Sequence, residues 1–309
     1  MLDRIIQIIG LVFFGFAVYL IGKEVEHIGA LHLWRLIIST PWWVVGLVLL
    51  FTFLDYIAFF GYDWLSLEYI KQKIPTKDII KASSIGFAIS NTTGHAYAAG
   101  GSIRYLFYTP LGLSHVAILK IIAFESITIL MGMALAYVVA VGASYFNPAL
   151  DGYMYLPYLK WSALGVLIAI FLYYWIFVRK ERVFNVASVA IQTPSLNMTF
   201  KQFFVGFMDN LLICLVFYVA LRYHMDANFI SVFIVFIIAQ TIALTTQVPG
   251  GIGVFEGLFL FLFPHAIEHR SAVLASLAIY RVLYFFVPFI LAGLYLIVRK
   301  WMDYVKFST

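Results

Sequence analysis

The sequence predicts an all-α fold, a polytopic membrane helical bundle of about six spanning helices plus two re-entrant hairpins in an inverted repeat. Three observations carry this. Of 309 residues, 63% are hydrophobic and 11% are charged, less than half the ~25% charge of a soluble domain. Apolar runs close to the ~20 residues that a spanning helix needs fill nearly the whole chain. Two of those runs are interrupted midway by polar residues and glycine. No polar stretch is long enough to fold alone, so a single integral membrane domain over residues 1–309 is expected.

The first apolar run, residues 5–22, follows a single Arg4. Lys23-Glu24-Val25-Glu26 comes next, where a signal peptide would show a small-residue cleavage site, so the run reads as a spanning helix. Further spans are expected at residues 42–61, 116–142, 156–178, 203–221 and 272–298. The irregular stretches cover residues 79–108 and 229–263. In the first, Lys81, Ser83, Ser84, Ser90, Asn91, Thr92 and Thr93 make a lipid-exposed crossing costly. Broken backbone at membrane depth is tolerated only where protein or a water-filled cavity covers it. Each stretch is therefore a re-entrant hairpin or a pair of short spans inside the bundle, and parity does not separate the two.

The net charge of +5 fits cytoplasmic loops better than a nucleic-acid partner. With the N-terminus inside, Arg4, Lys71, Lys73, Lys77, Lys81, Arg179, Lys180, Arg182, Lys201, Arg299, Lys300 and Lys306 face the cytoplasm. Only Lys23, Arg35, Lys160, Arg222 and Arg270 face out, and that bias places both termini in the cytoplasm. Arg104, Lys120 and Arg281 fall within hydrophobic segments. Lys120 is near a helix start and can snorkel to the interface. The single cysteine, Cys214, excludes an intrachain disulfide and a cysteine metal cluster.

The two broken stretches answer each other. The first reads Ser90-Asn91-Thr92-Thr93-Gly94, then Gly100-Gly101-Ser102-Ile103-Arg104. The second reads Thr245-Thr246-Gln247-Val248-Pro249-Gly250-Gly251-Ile252-Gly253-Val254-Phe255-Glu256. Each has a threonine-containing polar break, a glycine pair and then a charge, and a long helix with its own charge follows. The signs are exchanged: Arg104 precedes Glu125, whereas Glu256 precedes Arg281. Paired broken segments of opposite orientation point to an inverted repeat with a site at mid-membrane; the alternative is two unrelated glycine-rich kinks. Glycine pairs allow close backbone approach or a sharp turn. Arginine offers a fork suited to phosphate, and intramembrane charges tend to mark function. The same charges could equally form structural ion pairs. Asp209, eight residues into an apolar helix, is either a third buried charge or an interfacial one, and Asp55 is expected to face the bundle.

Other signals carry little. His265-Ala266-Ile267-Glu268-His269 matches an H-x-x-E-H zinc pattern, but it follows Pro264 in an outer loop with no third ligand. The glycosylation patterns at Asn91 and Asn197 fall in a buried and a cytoplasmic position. No catalytic constellation, metal site or cofactor is expected.

Ser90-Asn91 through Gly100-Gly101-Ser102-Ile103-Arg104-Tyr105, with Leu111-Gly112-Leu113-Ser114, resembles the first signature of the lysylphosphatidylglycerol synthase transmembrane region. Val248-Pro249-Gly250-Gly251-Ile252-Gly253-Val254-Phe255-Glu256-Gly257 resembles its second. The resemblance covers about residues 5–298. It implies kinship with the flippase half of the multiple peptide resistance factor, which moves aminoacylated phosphatidylglycerol between leaflets. It further implies that Arg104, Glu125, Asp209 and Glu256, with Asp55 and Arg281, line a lipid pathway. The tips of the breaks, at Asn91, Gly100, Gly101, Gln247, Gly250, Gly251 and Gly253, are where a headgroup is expected. Only eleven residues follow Val298, so the sequence as given is expected to lack the family's aminoacyl-transferase domain.

The functional expectation is a lipid translocase or lipid-binding transporter in a bacterial or archaeal plasma membrane. It is not expected to be an enzyme. Its partners would be membrane lipids, a separate lipid-synthesising enzyme and further copies of itself. The alternatives are a proton-coupled secondary transporter of a small anion or amphiphile and an integral-membrane lipid-modifying transferase.

Overall fold

The computed structural model describes residues 30–93, 96–147, 155–180, 183–186, 189–246, 248–263 and 266–308. Five helical stretches are long and apolar enough to cross a membrane: Trp42–Tyr69, His115–Ser144, Leu156–Val178, Leu196–His224 and Arg270–Met302. They correspond to five of the six expected spans; the sixth, at residues 5–22, lies outside the described residues. The chain is a multi-pass helical membrane bundle.

In chain order the helices are α1 (Ala30–Ile38), α2 (Trp42–Tyr69), α3 (Thr76–Thr93), α4 (Ala96–Tyr108), α5 (His115–Ser144), α6 (Leu156–Tyr173), α7 (Leu196–His224), α8 (Phe229–Thr245), α9 (Val254–Leu262), α10 (Arg270–Tyr280) and α11 (Val287–Ser308). Short π-helical turns, Tyr174–Val178 and Arg281–Phe286, extend α6 and α10. The all-α reading needs one addition. A two-stranded antiparallel hairpin, β1 (Val183–Val186) and β2 (Val189–Gln192), lies between α6 and α7.

The long helices start where side chains can take the free backbone donors. Ser114 accepts from the N–H of Ala117 ahead of α5 at 3.2 Å. Ser195 does the same for Met198 ahead of α7 at 3.3 Å. Asn228 accepts from Ile230 and Ser231 ahead of α8, at 3.0 and 3.2 Å.

Both irregular stretches fold back on themselves as helix pairs, α3 against α4 and α8 against α9. With 13 and 9 residues, α4 and α9 rise only about 20 and 14 Å, short of a ~30 Å hydrocarbon core. The polar run at Ser90–Thr93 does not itself break the chain, because α3 continues through Thr93. Its hydroxyls return to the preceding turn: Ser90 to Gly86 O at 2.7 Å, Thr92 to Ala88 O at 3.0 Å and Thr93 to Ile89 O at 2.9 Å. Such back-bonding makes a hydroxyl-rich helix tolerable in an apolar setting.

The glycine pairs do different work in the two halves. Gly100 and Gly101 lie inside α4 and permit close approach. A Cβ on Gly100 would sit 2.4 Å from Ser90 Oγ, and one on Gly101 would sit 2.9 Å from Ile122. Gly250 and Gly251 form a turn, with φ of 60° and 61°, and Gly253 follows at 81°; side chains rarely adopt this region. The two breaks meet, since a Cβ on Gly250 would lie 3.7 Å from Asn91 O.

Helix α7 is the central rod, packed by α2, α5, α8 and α10. Phe217 on α7 is fully buried within a ring of Phe236, Phe255, Phe259 and Tyr280, at centroid distances of 4.8 to 6.1 Å. Cys214 is buried in this core as a free thiol. Outward faces carry large apolar side chains such as Trp42, Phe53, Trp161 and Phe171, as a lipid-facing surface requires.

Gly132 on α5 and Gly206 on α7 bring two backbones into contact. A Cβ on Gly132 would fall 2.3 Å from Gly206 Cα, and one on Gly206 would fall 2.6 Å from Gly132 Cα. One turn earlier, Gln202 Nε2 donates to Thr128 Oγ1 at 2.8 Å. The pairs advance together, so α5 and α7 run parallel. Small residues at such crossings let membrane helices associate closely. We expect Gly132→Val to destabilise the detergent-solubilised protein by about 3 kcal/mol or more. Gly165→Ala, in open space on α6, should stay within about 0.5 kcal/mol. Equal melting temperatures for the two variants would contradict this crossing.

Candidate functional site

The first ionic cluster joins three helices. Arg104 on α4 is 4% exposed and faces two carboxylates. It donates to Asp63 on α2 through Nε at 3.1 Å and Nη2 at 2.6 Å. It also donates to Glu125 on α5, from Nε to Oε1 at 3.0 Å, and Nη2 lies 2.8 Å from Oε2. Tyr108 donates to Asp63 Oδ1 at 2.6 Å. The guanidinium lies 5.1 Å from the centroid of Phe87, which stacks on Phe59. The glycine surface of α3 and α4 makes room for it: a Cβ on Gly100 would lie 3.0 Å from Arg104 Nη1, and one on Gly86 3.5 Å.

A second cluster closes the other half. Arg281, at the start of the π turn, donates from Nε to Glu256 Oε1 at 2.6 Å and from Nη1 to the carbonyl of Gly250. Glu256 Oε2 accepts the N–H of Gly253, capping α9. The guanidinium is walled by Phe255, Tyr280 and Phe285. One carboxylate therefore fixes both the glycine turn and the arginine. π-helical turns of this kind often accompany functional sites.

Between them lies a third cluster. Asp55 on α2 is fully buried and accepts from the hydroxyl of Tyr284. Asp209 on α7 accepts from Tyr62 at 2.6 Å. The two aspartates interact directly, and Asp55 Oδ1 has no hydrogen-bond partner among the described residues. Asp55, Asp63 and Asp209 are each met by a tyrosine hydroxyl.

The exchanged signs read from the sequence are real ion pairs, each within its own half. Asp209 stays with the bundle, through Tyr62 and Asp55. Gly250 sits against Asn91 where the breaks meet, with Gly251 and Gly253 in the same turn; Gly100 lies beside Arg104, Gly101 packs against Ile122, and Gln247 lies outside the described residues. The sequence reading missed Asp63, Tyr62, Tyr108 and Tyr284. Asp63 follows Asp55 by eight residues on a helix that stays apolar through Leu65 and Leu67, which was a readable signal. Of the zinc-like motif, His265 lies outside the described residues. Among the described residues no group of three His, Cys, Asp or Glu side chains could hold a metal ion.

Fold and site together define a polytopic membrane protein whose broken helices enclose a buried ionic network. The family described as "Lysylphosphatidylglycerol synthase TM region" matches residues 7–292, and the chain belongs to it. It is 29% identical over 292 residues to the protein slr0712 of Synechocystis, covering 91% of this chain and 87% of that one. It is 25% identical over 249 residues to the inner membrane protein YbhN of Escherichia coli, covering 80% and 76%. It is 27% identical over 233 residues to the phosphatidylglycerol lysyltransferase of Bacillus subtilis, covering 74% of this chain and 26% of that protein.

Arg104→Gln would leave Asp63 and Glu125 buried without their cation, at a cost of about 3–5 kcal/mol. Glu125→Gln leaves the bidentate Asp63 pair intact and should cost clearly less. Thermal unfolding in detergent ranks the two, and the reverse order would contradict the clamp.

Proposed function

We propose that this chain is a lipid translocase or lipid-binding transporter that acts without covalent chemistry on its cargo. One observation carries the reading: among the described residues, the network inside the bundle sets four buried carboxyl groups (Asp55, Asp63, Glu125 and Glu256) and the half-buried Asp209 against two guanidinium groups, on the helices flanking the two breaks. Intramembrane charges are costly and mark transport pathways. A phosphate would compete with the carboxylates for Arg104 and Arg281, and the surplus carboxylates suit an ammonium on a zwitterionic or aminoacylated headgroup. The arrangement described is then the closed one, with carboxylates standing where phosphate would bind. Family membership supports a lipid-related role, and the name of the Escherichia coli relative supports the inner membrane. Both termini in the cytoplasm, a separate lipid-synthesising enzyme as partner and self-association belong to the same reading.

Fluorescent lipid reconstituted with the protein should exchange between leaflets. Arg104→Ala/Glu256→Ala should reduce exchange to the protein-free rate, and the milder Asp209→Asn should slow it. Unchanged exchange in both variants would sink the proposal.

A second reading, a proton-coupled transporter of a small anion or amphiphile, is favoured by the electrostatic interaction of Asp55 with Asp209 and by Asp55 Oδ1, which has no hydrogen-bond partner among the described residues. Adjacent buried carboxyl groups are satisfied by a shared proton. On this reading an imposed pH gradient accelerates transport in the wild type and not in Asp55→Asn. Indifference of the wild type to the gradient excludes it.

A further inference from the structure

Helix α6 packs along α5 but stands off α7, and a lateral cavity of about 710 Å³ opens between the three. The buried ionic network does not line it. Its polarity is graded along one direction. At the end where α5 and α7 begin, it is bordered by Lys120, Tyr69 and the Gln192–Pro194 segment. Further along α5 the wall is apolar, through Ile127 and Leu130 to Ala134. From Lys120 to Ala134 the wall rises about 21 Å, enough for the ~15 Å hydrocarbon depth of one leaflet.

Two polar side chains border this wall, Lys120 and Gln202. Lys120 forms no ion pair among the described residues. Gln202 is 1% exposed and donates to Thr128, and its Oε1 has no hydrogen-bond partner among the described residues. Arg179 and Lys180 come two and three residues after Phe177, which lines the same cavity, and add attraction for anionic headgroups. A cation at one end and an apolar remainder match one chemistry, an anionic amphiphile.

We propose that the α5–α6–α7 cavity binds one anionic phospholipid, its phosphate at Lys120 and an acyl chain between α5 and α6. This rests on the lipid-handling reading and supplies the place where the cargo is first held.

The test uses the full chain in nanodiscs of neutral lipid, with photoactivatable phosphatidylglycerol and phosphatidylcholine carrying the reactive group on the acyl chain. Peptide mapping should place the phosphatidylglycerol label within residues 120–134 and 166–177. Lys120→Glu should lower that label about five-fold and leave phosphatidylcholine labelling unchanged, while Lys120→Arg retains it. Ala169→Trp, which fills the cavity, should abolish it. Equal labelling by both lipids in wild type and Lys120→Glu overturns the proposal in favour of boundary lipid. Displacement by excess glycerol phosphate overturns it in favour of a soluble ligand. Selective labelling without leaflet exchange counts against translocation alone; exchange without selective labelling counts against this site alone.

Discussion

Everything in this bundle is arranged around the cost of charge away from water. Arg104 is only 4% exposed on α4, and α2 and α5 each bring a carboxylate to it. That requirement fixes the mutual approach of three helices. Arg281 is treated differently: one carboxylate and a backbone carbonyl suffice, because the glycine turn folds its own oxygen inward. The two solutions differ in chemistry but put their guanidiniums behind aromatic walls in the same way, Phe87 in one half and Phe255 and Phe285 in the other. Aromatic faces stabilise a cation without adding another charge to neutralise.

The same constraint governs the uncharged polar groups. Threonine and serine side chains on α3 return their protons to the preceding turn, so a segment that looks too polar for a membrane needs no water. Tyrosine hydroxyls do the corresponding work for the aspartates, with large apolar bodies that pack as they donate. Polar chemistry is thus carried into the bundle on side chains that also fill space.

Composition and run length made the fold class and the span positions readable, because both follow from the lipid solvent. The ion pairs Arg104–Glu125 and Glu256–Arg281 were readable because each joins neighbouring parts of one half. Asp63 was missed although readable, because the expected span was ended at Gly61, two residues short of it, while the helix runs on apolar through Leu65 and Leu67. Tyr62, Tyr108 and Tyr284 were hidden among many tyrosines whose default place is the membrane surface; only long-range packing selects the few that meet aspartates. Lys120 was set aside as a residue able to reach the interface. Its significance comes from the standing-off of α6, which no local pattern encodes. The β1–β2 hairpin was likewise absent from a reading built on helical spans.

The contact of Gly132 with Gly206 has a mechanical meaning. Two rods whose backbones meet without side chains between them are closest there, with the Gln202–Thr128 bond one turn away, so the contact acts as a fulcrum. Lys120 and Glu125 lie on one arm of α5, about 18 and 10 Å from it, and Gln202 lies about 6 Å away on α7. A tilt of α5 by about ten degrees moves its Lys120 end by about 3 Å and Thr128, the partner of Gln202, by about 1 Å. The cavity face and the ion-pair face of α5 belong to one lever, so a displacement at either is felt at the other, in proportion to its distance from the pivot.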